Sequence, residues 1–453
     1  MRKLSYIALA VFLFLFSLTW PLCATAAGYT LPDSVTCTAR SAILIGLGED
    51  PSQDVLLFKR DENTRRSPAA MAKLLMAAYA WGQIRERGLD IDAVTGTWTQ
   101  KLADSISGTG LAVANMKVGN AWKLRDLLTV GLMGSAADCC LVLAATISES
   151  IDAFVSGMND LAKELGCTNS RFTNVTGLDH ADDEDNLLQY TTAWDMYLIT
   201  RHVLGIPELT EILALSQTEV TPVEGSGQTY INANLMMRSG GQRYAPLVFG
   251  RTGYSDIDGR SIASVARQRG YDYLTVVIGT DQPDSDTANA HYQDSRALYT
   301  WAFDNFAYKT LLRKNEPVDQ LAVELAWSID KVILVTKEDI ASIVDKSLDI
   351  SMVRQEITKT QEPIDAPIEK GEVFGKVELY INMDQKVGEC ELVAAESIPR
   401  SDVLLLWRKV YTVITSPWLY LGILGILLLF GGYILLAFAM HKRRKNRKIL
   451  NRR

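Results

Sequence analysis

Two short runs near the start of the chain, Ser41–Leu47 (SAILIGL) and Asp54–Arg60 (DVLLFKR), are almost wholly apolar. Apolar runs this short, with Glu49-Asp50-Pro51-Ser52 between them as a turn, predict a β-hairpin. The pattern then changes. Ser67-Pro68 precedes AAMAKLLMAAYAWGQIRERG. Ser at the N-cap and Pro at the first position open a helix, and Gly88 closes it. Residues 121–147 read as one long apolar helical stretch. A third helix is expected at about 150–165, stopped by Gly166, and a fourth at 192–204, closed by Gly205 and Pro207. Strand character returns in Ser261–Arg267 (SIASVAR) and Tyr273–Thr280 (YLTVVIGT), with Gln268-Arg269-Gly270 between them as a second hairpin turn. A helix over 288–308 follows. Strands at both ends with helices between predict an α/β (α+β) sandwich in which the chain returns to complete an antiparallel sheet. After Glu316-Pro317 the texture becomes short alternating runs (KVILVT, VFGKVELYI, GECELVAA), which predict a small β-rich domain over 317–398.

Both ends of the chain are apolar in a different way. Arg2 and Lys3 precede an apolar run from Tyr6 to Trp20, and small residues follow at Ala24, Thr25 and Ala26. This is the layout of a signal peptide over 1–27. Residues 418–440 carry no charge and are long enough to span a bilayer core. Trp418 and Tyr420 suit its interface. The tail 441–453 holds eight Lys/Arg and no acid, which places it in the cytoplasm. A juxtamembrane segment, 399–417, joins the β-rich domain to the span. The expectation is a single-pass cell-membrane protein with everything from 28 to 416 outside the cell.

Charge sharpens that split. The whole chain is −7, and without the tail's cations and the two at the start it is −17. So acidic an exported part is a poor ligand for nucleic acid. Five cysteines remain after position 27: Cys37, Cys139, Cys140, Cys167 and Cys390. An odd number cannot all pair within one chain, and spacing identifies no disulfide. Cys139 and Cys140 read as core. None of the four histidines, His180, His202, His291 and His441, has metal-ligand spacing. The acids after His180 read as a solvated loop, so no metal or other cofactor is expected.

Three places remain where chemistry is expected. The helix opening at Ser67 reads S-P-A-A-M-A-K, ending at Lys73. A second stretch reads Met133-Gly134-Ser135-Ala136-Ala137-Asp138. A third reads Gly250-Arg251-Thr252-Gly253-Tyr254. In this order and spacing they resemble the S-x-x-K, S-x-N and K-T-G motifs of the D-alanyl-D-alanine carboxypeptidases, the low-molecular-weight penicillin-binding proteins. RFTNVTGLDHADDEDNLLQYTTAWD, INANLMM and APIEKGEVFGKVELYINMDQKVGECELVAA extend the resemblance over about 36–398. It implies a penicillin-binding/β-lactamase-like sandwich over 28–316, and a peptidoglycan stem peptide ending in D-Ala-D-Ala as ligand.

The resemblance also implies roles. Lys73 matches the lysine that takes the nucleophile's proton. The nucleophile position is Ala70, whose methyl cannot attack a carbonyl. Ser135 keeps the serine of the second motif, but Ala137 replaces the asparagine that holds the substrate amide. Arg251 keeps the positive charge of the third motif and could take the peptide's carboxylate bidentately. Thr252 and Gly253 complete that motif. Ser135 and Ser67 are the candidate substitute nucleophiles, although an N-cap role already occupies the Ser67 hydroxyl. Lys73 could instead be a snorkelling surface lysine. Three readings stay open: an impaired, wall-peptide-binding or regulatory protein, with an active homologue as possible partner; an active serine-type carboxypeptidase with a substitute nucleophile; and a structural extracytoplasmic spacer.

Overall fold

The computed structural model describes residues 29–179, 188–280, 289–360, 362–381 and 385–450. The expected signal peptide, His180 with the acids after it, and the last three residues of the tail lie outside the described residues. The described chain forms two compact units. The first runs up to Thr310 and adds Ala341–Arg354 and Tyr380–Gly388; the second holds Leu311–Ile340, Gln355–Leu379 and the chain from Glu389 on.

The first unit is built on five strands: β1 (Ser41–Leu47), β2 (Val55–Arg60), β3 (Leu247–Ser255), β4 (Gly259–Gln268) and β5 (Tyr271–Thr280). Their spatial order is β2-β1-β5-β4-β3, all neighbours antiparallel. The N-terminal hairpin thus lies beside a C-terminal meander, as the returning-chain reading expects. Arg269 and Gly270 between β4 and β5 both have positive φ, 53° and 83°. Two left-handed residues make the tight turn whose twist suits a hairpin.

The strands read as continuous apolar runs because the sheet is covered on both faces. Ile43, Ile45, Phe249, Val265, Leu274 and Val276 face one core, made with most of the helices. Ala42, Leu44, Ile262, Ala266 and Val277 face the other, with the helix Ala290–Asn305. Each buried aliphatic side chain contributes about 1.5–3 kcal/mol relative to exposure. Helix α1 (Ala72–Glu86) runs through the larger core, buried from Ala72 to Ala78 without a break. It is entered through a short 3-10 turn, Ala69–Met71, so the α-helix proper starts later than Pro68.

The single helix expected over 121–147 is instead a strand and two helices. Ala121–Lys123 pairs with Thr95–Thr97, and α2 (Leu124–Met133) and α3 (Ala137–Ile147) follow. The break falls at Gly134-Ser135-Ala136, where Ser135 adopts φ 66°. A left-handed residue cannot continue a right-handed helix. Asp138 then secures the new start by accepting from the N–H groups of Ala114 (2.9 Å), Met116 (3.2 Å) and Cys139 (2.9 Å). The helix expected over 288–308 spans Ala290–Asn305 and passes directly into the strand Phe306–Leu312.

A six-stranded sheet has the spatial order Arg354–Lys359, Val373–Ile381, Gln385–Ala394, Lys331–Thr336, Pro317–Glu324, Ile364–Asp365. This is the expected β-rich domain. Two helices follow it, α4 (Asp402–Thr415) and α5 (Pro417–Leu450). Pro417–His441 is long and apolar enough to cross a membrane, and none of it is buried within the protein.

Candidate functional site

The site forms where the turn before α1, the α2–α3 break and edge strand β3 meet. Ser67 opens the turn. Its backbone N–H donates to Asp258 at 2.6 Å, its hydroxyl donates to Asp179, and its oxygen accepts from the Ala69 N–H at 3.1 Å. Ala69 sits at φ 43°. That conformation costs a non-glycine residue about 1–3 kcal/mol and persists only where neighbours enforce it. Two glycines do so here. A Cβ on Gly177, itself at φ 76°, would stand 2.3 Å from the Ala69 carbonyl oxygen, and one on Gly253 would stand 3.0 Å from the Ala69 Cβ. Gly177 is held in turn by Asn174, whose Oδ1 accepts from the N–H groups of Thr176, Gly177 and Leu178 at 3.1, 2.8 and 3.1 Å. The result presents Ala70 half-buried, its N–H without a partner among the described residues.

Beneath Ala70 lie two cations. Lys73 and Arg251 are each only 1% exposed. Lys73 Nζ donates to the Ser135 carbonyl at 2.7 Å and to Ser135 Oγ at 3.0 Å. The Arg251 guanidinium donates to the carbonyls of Ala70 (3.1 Å) and Leu132 (2.9 Å) and to Ser135 Oγ. Arg251 therefore ties together the turn, the end of α2 and the left-handed serine. Neither cation has a carboxylate within ion-pair distance among the described residues. Burial lowers Lys73 to about 8, with the charge of Arg251 adding to the effect. Burial likewise lowers Arg251 to about 10.

The structure brings all seven sequence-predicted positions to this region. Lys73 is an interior residue, not a snorkelling one. Arg251 is also interior, and its donors point to protein acceptors. Ser135 is half-buried, with its hydroxyl oxygen turned onto both cations. Ala137 is fully buried, its N–H on the Ala112 carbonyl at 2.8 Å. Thr252 is half-buried and hydrogen-bonded to Tyr292, and Gly253 is flush against the turn. Cys139 and Cys140 are fully buried and free, and burial raises both thiols. Among the described residues no group of His, Cys, Asp and Glu is arranged to hold a metal. Sequence reasoning passed over the strained Ala69 and its Gly177–Asn174 buttress. Asn174-x-x-Gly177 was visible as a pattern, but the contact of Gly177 with Ala69, 108 residues away in the chain, was not.

Comparisons with known proteins identify the family. The D-alanyl-D-alanine carboxypeptidase family profile matches residues 28–282, and the penicillin-binding protein 5 C-terminal domain profile matches 306–400. The chain is 25% identical over 378 residues to the D-alanyl-D-alanine carboxypeptidase DacF of Bacillus subtilis, covering 82% of this chain and 88% of the relative. It is 25% identical over 396 residues to DacC of Escherichia coli, covering 86% and 90%. Among solved structures, penicillin-binding protein 5 of Haemophilus influenzae shares the fold at a TM-score of 0.62 and 21% identity, over 82% of this chain and all of that one. With one family profile covering more than half of its length, and the ordered motif positions meeting at one site, the chain belongs to the D-alanyl-D-alanine carboxypeptidase family.

Proposed function

We propose that this carboxypeptidase-like cell-wall protein is catalytically impaired and holds a D-Ala-D-Ala stem peptide, or regulates an active homologue, without cutting the peptide. The observation that carries the reading is the Ala70 methyl at the nucleophile position, above a lysine and an arginine whose donors are engaged by the protein. The hydroxyls of Ser67 and Ser135 are turned to interior partners, so neither is poised as a substitute. Loss of the nucleophile costs a serine hydrolase on the order of 10⁶ in turnover. Binding is a separate matter. The strained turn persists, and its Ala70 N–H has no partner among the described residues, which suits a peptide carbonyl. Two buried cations below supply a positive field for a terminal carboxylate.

Intact-mass measurement after incubation with penicillin tests the first half: no adduct is expected. An adduct on Ser135 or Ser67 would establish the active-enzyme reading instead. Ala70→Ser should give slow acylation at most, because Ala137 supplies no amide to align the substrate. Calorimetry tests the second half. A D-Ala-D-Ala peptide should bind at roughly micromolar to millimolar Kd, and its carboxyl-amidated form about tenfold worse, ~1.4 kcal/mol. Equal affinity for the two, or no binding, removes the peptide and leaves regulation of a partner.

We also take Pro417–His441 as a membrane span, with the globular units outside the cell and the tail inside. Its length and hydropathy support this.

A further inference from the structure

Around Lys73 the protein gathers donors and supplies too few acceptors. An ammonium has three N–H bonds to place. Lys73 Nζ uses two of them on Ser135, at 2.7 Å to the carbonyl and 3.0 Å to Oγ, and the third direction has no acceptor among the described residues. Ser135 Oγ accepts from both Lys73 and Arg251, so its own proton is left over, and no described group receives it. The other Arg251 donors in use go to the carbonyls of Ala70 and Leu132. Few charged or titratable groups face the amine. Arg251 comes from β3; Asp138, Cys139 and Cys140 come from α3. The Asp138 carboxylate is engaged by the N–H groups of Ala114, Met116 and Cys139, and burial keeps both thiols protonated. Two interior cations therefore lie side by side with no anion between them.

We propose that Lys73 is a carbon dioxide site: its amine takes up CO2 as a carbamate, and the anion formed there is the counter-charge that Arg251 lacks. The neutral amine keeps its two N–H bonds to Ser135 and carries its lone pair in the third, unused direction. That pair attacks the carbon of CO2. An N–C bond forms, one C=O electron pair becomes an oxygen lone pair, and the proton leaving Nζ passes to water. The carbamate oxygens then accept from the Ser135 hydroxyl and from the Arg251 guanidinium, which makes the second contact charge-assisted. The site also supplies the reactive form. Burial, with Arg251 adding to it, brings Lys73 down to about 8, so near that pH about half of the chains hold a free amine. An ordinary lysine offers well under about 1% there. Ala70 and Ser135, which lie over the amine, are only half-buried. CO2 is small and uncharged, so its entry brings no unpaired charge into the interior. The proposal does not rest on the peptide reading, although a carbamate and a peptide carboxylate compete for the same donors.

The test uses the full chain in detergent micelles, labelled with nitrogen-15 at the lysine side chains and equilibrated with carbon-13 bicarbonate. A carbonyl resonance split by a directly bonded nitrogen-15 is expected at about pH 8.5. It should fall at least about tenfold at about pH 6 with dissolved CO2 held constant, because protonation removes the lone pair. It should be missing from Lys73→Met. Trimethyloxonium esterifies carbamates before they revert, so trapping followed by peptide mapping locates the group in the parent protein and does not depend on the variant's folding. A trapped methyl carbamate on Lys73 establishes the site. No split resonance at either pH overturns it, as does one that persists in folded Lys73→Met or a trapped group confined to other amines. A protein-bound signal without the nitrogen splitting means a bound bicarbonate ion and also overturns the carbamate. Failure of the peptide to bind in calorimetry leaves all these readouts unchanged, so the two readings fail separately.

Discussion

Lys73 and Arg251 sit in surroundings far from what their charge prefers. Both are interior, and neither has a carboxylate partner among the described residues. An interior cation without a counter-charge is tolerated only where hydrogen bonds replace its water. Lys73 has two such bonds, to one serine. Its folded-state value of about 8 lies below the ordinary 10.5, so the folded protein releases this proton before the unfolded chain does. The sign follows from linkage: between pH 8 and 10.5 the unfolded chain binds more protons, and stability from this group rises with pH. Below pH 8 the penalty is complete and constant. The difference of about 2.5 units corresponds to ~3 kcal/mol. Urea unfolding of the parent and Lys73→Met across that window should show the parent gaining on the variant by this order, and parallel curves would contradict the assignment. Arg251 differs in that it joins three segments. Arg251→Ala leaves the Ala70 and Leu132 carbonyls without their donor, and breaking hydrogen bonds to a buried charge costs on the order of 3 kcal/mol or more. The variant should therefore unfold at clearly lower urea in the absence of any peptide. Unchanged stability would return Arg251 to the role of a free carboxylate clamp.

Among elements, what was legible in the sequence was whatever depended on local pattern. The β1–β2 hairpin, the Arg269-Gly270 turn and the helix closures at Gly88 and Gly166 follow from apolar runs and backbone punctuation, and the structure has them where the residues place them. The break between α2 and α3 was not legible in this way. Gly134-Ser135-Ala136 is only a mild interruption in an apolar stretch, and tertiary contacts push Ser135 into the left-handed region. At the candidate site, the types and order of Lys73, Ser135 and Arg251 pointed to the right place. The direction of their donors did not, because it depends on carbonyls contributed by residues over 60 positions away. The same holds for the loop carrying Gly177, whose close approach to Ala69 keeps the turn strained. Gly177→Ala forces a Cβ to within 2.3 Å of a backbone oxygen at a φ of 76°. Backbone cannot yield as a flexible side chain can, so the loop must withdraw and Ala69 should relax. Loss of peptide affinity at nearly unchanged global stability is expected, read by calorimetry beside urea unfolding. Retained affinity would mean that the turn does not need its buttress.

At the scale of the whole molecule, the proposed membrane placement rests on the distribution of charge and apolar length. The segment between the two apolar ends is strongly acidic, and the residues after the span are strongly basic. An anionic cytoplasmic leaflet attracts the second and repels the first, each basic residue near the surface contributing about 1 kcal/mol. Helix α5 carries the apolar stretch and the start of the basic segment in one continuous element, from Pro417 to Leu450. The two are thus joined in one helix with no loop between them. On the proposed reading of Pro417–His441 as a span, this pattern fits a single crossing with the tail on the opposite side from the globular units. Protease added to intact spheroplasts should therefore digest the chain before Pro417 and leave an epitope fused after Arg453 intact. Permeabilising the membrane should make that epitope sensitive, which separates protection by the bilayer from intrinsic resistance of the helix. Cleavage of the epitope in intact spheroplasts would place the basic tail outside and overturn the orientation, whatever the globular units do.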